Sequence, residues 1–198
     1  MKGVESMPHV NKEMISFFLT TKCNLRCIYC YNSKKRKDCP VQSLDLNFAK
    51  AGIDYFFGNF QSRHIRFYGP GEPTQAFTLM KQIRDYAYLK AGEDLSVEIQ
   101  TNGVFSHHVR EWLAENANII WVSFDGTPDI QNHNRPLPRN VPSSPLIEAN
   151  VKYLSSHLKR DGTVGVRVTI TNDNMHRQEL MINYFARLGI NHIWCDPL

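Results

Sequence analysis

Apolar residues along the chain fall into two alternating rhythms. Met14-Ile15-Ser16-Phe17-Phe18-Leu19 reads as a first buried strand. Leu46, Ile53, Phe56, Phe57 and Phe60 then recur at helical spacing between Leu44 and Phe60, and His64-Ile65-Arg66-Phe67-Tyr68 returns to a strand. The alternation continues with a helical stripe at Phe77, Met80, Ile83 and Ala87, a strand over Leu95 to Gln100, a helix around Val109, Trp112 and Leu113, and the strand Ile119 to Phe124. Ile147, Val151, Leu154 and Leu158 form the next helical face, followed by strand residues Val164, Val166, Val168 and Ile170. Leu180, Met181, Tyr184, Phe185 and Leu188 make a fifth helical face, and His192-Ile193-Trp194 opens a sixth strand. Strands separated by helices predict a parallel sheet, because a crossover helix returns the chain to the same sheet edge. Periodicity alone leaves two α/β architectures open, a barrel and a doubly wound sheet.

Polar and glycine-rich segments follow the strands: Thr21-Lys22-Cys23, Gly69-Pro70-Gly71-Glu72-Pro73, Thr101-Asn102-Gly103, Ser123-Phe124-Asp125-Gly126, Thr171-Asn172 and Asp196-Pro197. All lie at carboxyl ends of strands, the edge where parallel α/β folds place their ligand sites. Arg135 to Pro145, with four prolines and no periodicity, is expected to be a long loop within one domain spanning 1–198. The chain stops just past the sixth strand, so a last helix and any extension are expected to be missing.

At 198 residues and 42% hydrophobic composition the chain can bury a proper core, which excludes a disordered or disulfide-stapled protein. Its formal charge of +4, from 23 Lys+Arg and 19 Asp+Glu, is too mild to argue for a nucleic-acid or membrane partner. No run approaches the roughly 18 to 20 apolar residues of a membrane span, and Met1 to Ser6 lacks the apolar core of a signal peptide. The expectation is a cytoplasmic protein.

Three of the five cysteines crowd into Cys23-Asn24-Leu25-Arg26-Cys27-Ile28-Tyr29-Cys30, too close together to staple distant parts of a fold. Thiolates on one short loop can converge on one metal centre, and soft sulfur favours an iron-sulfur cluster, zinc or copper(I). A structural zinc site would call for a fourth ligand from a second CxxC or a paired histidine, and none is evident. A cubane cluster takes four cysteines, so three would leave one iron open. Cys39 and Cys195 are isolated and read as packing residues or free thiols, while His107, His108 and His133 read as surface residues.

With the Cx3Cx2C loop after strand one and GxGEP after strand two, the chain resembles the radical S-adenosylmethionine (SAM) superfamily, over nearly its whole length in strand order. The resemblance implies a partial (β/α)6 TIM-like barrel, a [4Fe-4S] cluster held by Cys23, Cys27 and Cys30, and SAM chelating the open iron. One electron from the cluster then cleaves SAM to methionine and a 5'-deoxyadenosyl radical, which takes a hydrogen atom from the substrate. Tyr29 would lie by the adenine; Gly69, Gly71 and Glu72 belong to the motif that receives the SAM ammonium; Ser123 and Arg135 would hold its carboxylate. Pro70 replaces the usual glycine but keeps its carbonyl, and a cation needs acceptors. Gln131-Asn132 stand where similar members have His-Asp, which leaves their role open. Gln100, Thr101 and Asn102 are placed at the same mouth, with Thr171 and Arg167 as weaker candidates.

The Ser-x-Asp-Gly pattern is most similar to maturases of peptides and proteins that carry C-terminal auxiliary-cluster (SPASM-type) extensions. The resemblance therefore implies a peptide or protein substrate and an electron donor such as flavodoxin or ferredoxin. An RNA-modifying member is an alternative suggested by the basic run Lys34-Lys35-Arg36-Lys37, which otherwise reads as a solvated loop. A zinc- or cluster-binding scaffold without turnover is the alternative of another class.

Overall fold

The computed structural model describes residues 11–32, 39–159 and 161–198. The start of the chain and the basic run at 34–37 lie outside the described residues. Six strands, β1 (Ile15–Phe18), β2 (His64–Tyr68), β3 (Ser96–Thr101), β4 (Ile119–Ser123), β5 (Thr163–Ile170) and β6 (His192–Pro197), form one sheet in sequential order, with every neighbouring pair parallel. Between them run α1 (Leu46–Asn59), α2 (Phe77–Ala91), α3 (His107–Asn116), α4 (Pro128–Asn134), α5 (Ser144–His157) and α6 (Gln178–Arg187). Sequential strand order with crossovers of one hand sends the covering helices to the same face. The sheet therefore curls as an open barrel with a helical outer layer and a free inner face.

Burial records this division residue by residue. Ile65, Phe67, Val97, Ile99, Ile120, Val122, Val164, Val166 and Val168 are buried and join one core with Ala49 and Ile53 of α1, Met80 and Ile83 of α2, Leu113 of α3, Ile147 and Val151 of α5 and Phe185 of α6. Burying a side chain of this size contributes about 1.5–3 kcal/mol, and together these contacts fix strand register, since a one-residue slip would turn each apolar set inward. The intervening positions, including Arg66, Gln100, Ser123, Arg167 and Asp196, face the concave side and remain partly exposed.

The predicted strands and their connecting helices are present. One helix was not predicted: α4 is short and largely polar, and it buries Ile130 alongside Gln131 and Asn134. The expected loop at Arg135 to Pro145 also ends early, because α5 begins at Ser144 with Pro145 in its first turn, where the missing N–H would have had no helical partner anyway. Among the described residues no helix is long and apolar enough to cross a membrane.

Candidate active site at the barrel mouth

The cysteine segment follows β1 and is tied down on three sides. Its backbone runs against the chain after α4, with Arg26 N–H donating to Pro136 O at 2.8 Å and Ile28 N–H to Asn134 O at 2.9 Å. Asn24 Nδ2 donates to Val104 O at 2.7 Å and its Oδ1 accepts from Asn102 Nδ2 at 2.7 Å, which fastens the loop to the end of β3. Asn32 Nδ2 reaches Pro70 O at 2.9 Å, and Glu72 N–H donates to Lys22 O at 2.8 Å. Fully buried Leu25 plugs the loop into the core. These ties hold Cys23, Cys27 and Cys30 as free, partly exposed thiols around one cavity of about 200 Å³.

The turn after β2 approaches the cysteine segment so closely that two glycines are required. A Cβ on Gly71 would sit 2.2 Å from Thr20 O and 2.6 Å from Lys22 O, both backbone, and no side chain can fit there. Gly69 has φ +130, and a Cβ there would meet the Phe18 ring at 2.5 Å. Glu72, 2% exposed, ties this turn to β3. Its Oε1 accepts from Thr74 N–H at 3.1 Å, Thr74 Oγ1 at 2.8 Å and Thr101 Oγ1 at 2.7 Å, and its Oε2 from Asn102 N–H at 2.7 Å. Burial pushes the carboxyl above its ordinary 4.5, and the four donors hold that rise back. With three donors on Oε1 and one on Oε2, only Oε2 keeps room for another partner.

A buried polar cluster closes the opposite wall. Asp125, fully buried, accepts from Tyr29 Oη at 2.5 Å, Asn134 Nδ2 at 3.3 Å and Thr169 N–H at 3.2 Å. Arg135 Nη1 donates to Tyr29 Oη at 2.8 Å and stands 4.0 Å from Asp125 Oδ1, while its buried Nε has no hydrogen-bond partner. Burial raises the Cys27 thiol above 9.0 and the Arg135 guanidinium draws it back; burial raises the Tyr29 phenol as well, again opposed by Arg135. Gln131 and Asn132, whose role the sequence left open, are scaffold residues. Gln131 Oε1 accepts from Asp125 N–H at 2.9 Å and its Nε2 donates to Ser143 Oγ at 3.2 Å, whereas Asn132 Oδ1 accepts from Ser143 N–H and Ser144 N–H at the start of α5.

Cys23, Cys27, Cys30, Tyr29, Gly69, Gly71, Glu72, Ser123 and Arg135 all border this one cavity, with Gln100, Thr101 and Asn102 beside them. Arg167 lies lower, on the inner sheet face, and Thr171 Oγ1 is buried at the end of β5 without a hydrogen-bond partner. Cys39 and Cys195 are exposed free thiols, and His107, His108 and His133 are exposed as expected. Asp125 is the residue whose weight sequence reasoning missed, since Asp-Gly reads as a turn.

The donor set fits the cofactors of the resemblance. Three free thiols on one loop border one cavity, the soft donors an iron-sulfur cluster takes. Arg135 also borders the cavity, and a planar guanidinium there suits an anionic acceptor such as a carboxylate.

Comparison with known proteins agrees. An uncharacterised protein of Methanocaldococcus jannaschii is 31% identical over 183 residues, covering 91% of this chain and 60% of its own length. Among solved structures, native anSMEcpe with bound AdoMet and Cp18Cys peptide superposes with a TM-score of 0.74 at 19% identity, covering 93% of this chain and 50% of that one. Streptococcus suis SuiB bound to the precursor peptide SuiA gives a TM-score of 0.68 at 13% identity, over 94% of this chain and 39% of that one. The chain thus spans about half the length of the proteins it matches. Residues 17–185 match the Radical SAM superfamily, and the chain belongs to that family of enzymes.

Proposed function

We propose that this enzyme, whose family cofactors are a [4Fe-4S] cluster and SAM, abstracts a hydrogen atom from a peptide or protein substrate, with a flavodoxin or ferredoxin as electron donor. When bound, the cluster supplies the electron that splits SAM and so generates the hydrogen-abstracting radical. Cys23, Cys27 and Cys30 hold the irons. Glu72 Oε2 and the carbonyl of Gly71, in the turn begun by Gly69, receive the SAM ammonium. Ser123 and the free donors of Arg135 take its carboxylate, a grip suited to a planar guanidinium. The Tyr29 ring walls the adenine side while its hydroxyl stays bonded to Asp125 and Arg135. The core domain covers the whole chain, and its contribution is to exclude water and aim the reacting groups.

The observation that carries this reading is the convergence of three thiols, the Gly69–Pro73 turn and the Arg135 guanidinium on one cavity. The peptide substrate is supported by the complexes of anSMEcpe with Cp18Cys peptide and of SuiB with SuiA, whose proteins share the fold. The test uses cluster-loaded, reduced protein with SAM and a pool of perdeuterated, terminally capped peptides. Deuterium appearing in 5'-deoxyadenosine supports the reading. Formation of 5'-deoxyadenosine without deuterium contradicts the peptide assignment, and no 5'-deoxyadenosine at all contradicts the SAM chemistry.

A further inference from the structure

The inner face of the sheet carries a ladder of polar side chains that the SAM assignment leaves unused. Glu98 of β3 lies 3.3 Å from His64 Nε2 and 3.0 Å from Arg66 Nε, both on β2. Two residues further along β3, Gln100 Oε1 accepts from Arg66 Nη2 and from Arg167 Nη1 of β5, each at 2.9 Å. Arg167 also bonds Asp196 of β6, and Asp196 accepts from the Trp194 indole at 2.8 Å. The ladder is charge-balanced, two guanidiniums against two carboxylates. The Arg167–Asp196 side chains are 29% and 44% exposed, so that ion pair adds little to stability.

Their effect on Gln100 is directional. A guanidinium can only donate, so two of them converging on one amide fix its oxygen toward themselves and its NH2 away. Gln100 borders the cavity that holds the three cysteines and Ser123, and among the described residues its Nε2 has no protein partner. The cavity is therefore bordered, next to the proposed SAM site, by two oriented amide donors.

We infer that Gln100, pinned by Arg66 and Arg167, is a specificity-determining residue that selects a neutral carbonyl oxygen of the substrate, the acceptor a peptide amide offers. Both guanidiniums already hold carboxylates, so a substrate carboxylate would add an unbalanced charge to a half-buried set, whereas a carbonyl accepts the N–H groups without changing it. Arg66 and Arg167 act as positioning residues through Gln100. The inference deepens the peptide reading proposed above and rests on it.

The experiment uses the same perdeuterated pool, with uncapped counterparts of the peptides assayed beside it, on wild type, Gln100→Glu and Gln100→Leu. Glutamate keeps an oxygen for both arginines and removes both donors; leucine removes donors and acceptor. The readout is the fraction of 5'-deoxyadenosine carrying deuterium, a ratio that does not depend on how much enzyme is loaded or folded. It is expected to fall at least about tenfold in both variants, the loss of a bond plus the repulsion that replaces it in the glutamate case. An unchanged fraction overturns the role of Gln100 while leaving the peptide substrate standing. Transfer only from peptides with free carboxylates overturns the neutral acceptor, and absence of transfer with wild type overturns the peptide reading and this inference together.

Discussion

Replacing Glu72 by Gln preserves the shape of the side chain and removes one acceptor from a place that needs two. Three donors converge on Oε1 within 3.1 Å and the Asn102 amide meets Oε2 at 2.7 Å. The variant's single oxygen stays where three donors meet, which sets its NH2 against the Asn102 N–H. That leaves a buried backbone donor unpaired, at a cost of about 1–3 kcal/mol. The three remaining bonds lose their charge assistance, roughly 0.5–1 kcal/mol each. Relief of the buried charge returns part of this, so the net loss is about 2–4 kcal/mol, a large share of the roughly 5–15 kcal/mol by which domains are stable. Anaerobic urea unfolding of the metal-free protein should show the midpoint falling by about 1–2 M at a slope near 2 kcal/mol/M. The reconstituted variant should keep its brown colour and bind SAM more weakly. A variant as stable as wild type, with unchanged SAM affinity, would refute the account of Glu72 as both the tie between β2 and β3 and the ammonium acceptor.

Other outcomes follow from the same geometry. Cys27→Ala should abolish iron binding while Cys39→Ala retains it, read as iron per chain after anaerobic reconstitution; equal loss would mean the wrong ligands are assigned. Asp125→Asn should cost about 2–4 kcal/mol in urea unfolding, since it removes the buried anion beside Arg135 and weakens the bonds from Tyr29 and Asn134, whereas Tyr29→Phe should cost less. Asp129 is held down to about 2 by hydrogen bonds from Arg177 and Thr127. A depressed carboxyl contributes stability above its unfolded value of 3.8 and loses it as pH falls through about 2. The pair is exposed, so Asp129→Asn should cost under about 1 kcal/mol at neutral pH, and the gap in urea midpoint should narrow as pH is lowered from about 5 to about 3.

The parts of the molecule that were legible in the sequence are those written in hydrophobic period. Val164, Val166 and Val168 announce β5, and Met80, Ile83 and Ala87 announce α2, because the same side chains make the core. The cysteine loop was legible because three thiols at that spacing have few other uses. What hydropathy conceals is polarity turned inward. Helix α4 escaped because Gln131 and Asn134 are buried through hydrogen bonds to Ser143 and Asp125, and seven residues are too few to show a period. Asp125 reads as a turn residue, yet its partner Tyr29 stands ninety-six positions earlier, a pairing that only the folded chain creates. The inner ladder is a middle case: alternation sends Arg66, Gln100 and Arg167 away from the core, but their convergence on one amide oxygen depends on strand order and register.

The central claim is that the three thiols leave one iron of a four-iron cube open to SAM, and it is tested most directly by electron paramagnetic resonance of the reduced, reconstituted protein before and after SAM is added. The account predicts about four irons per chain and a spectrum that changes on SAM addition, with the change weakened in Glu72→Gln. A spectrum indifferent to SAM, or a colourless protein holding one zinc, would contradict it.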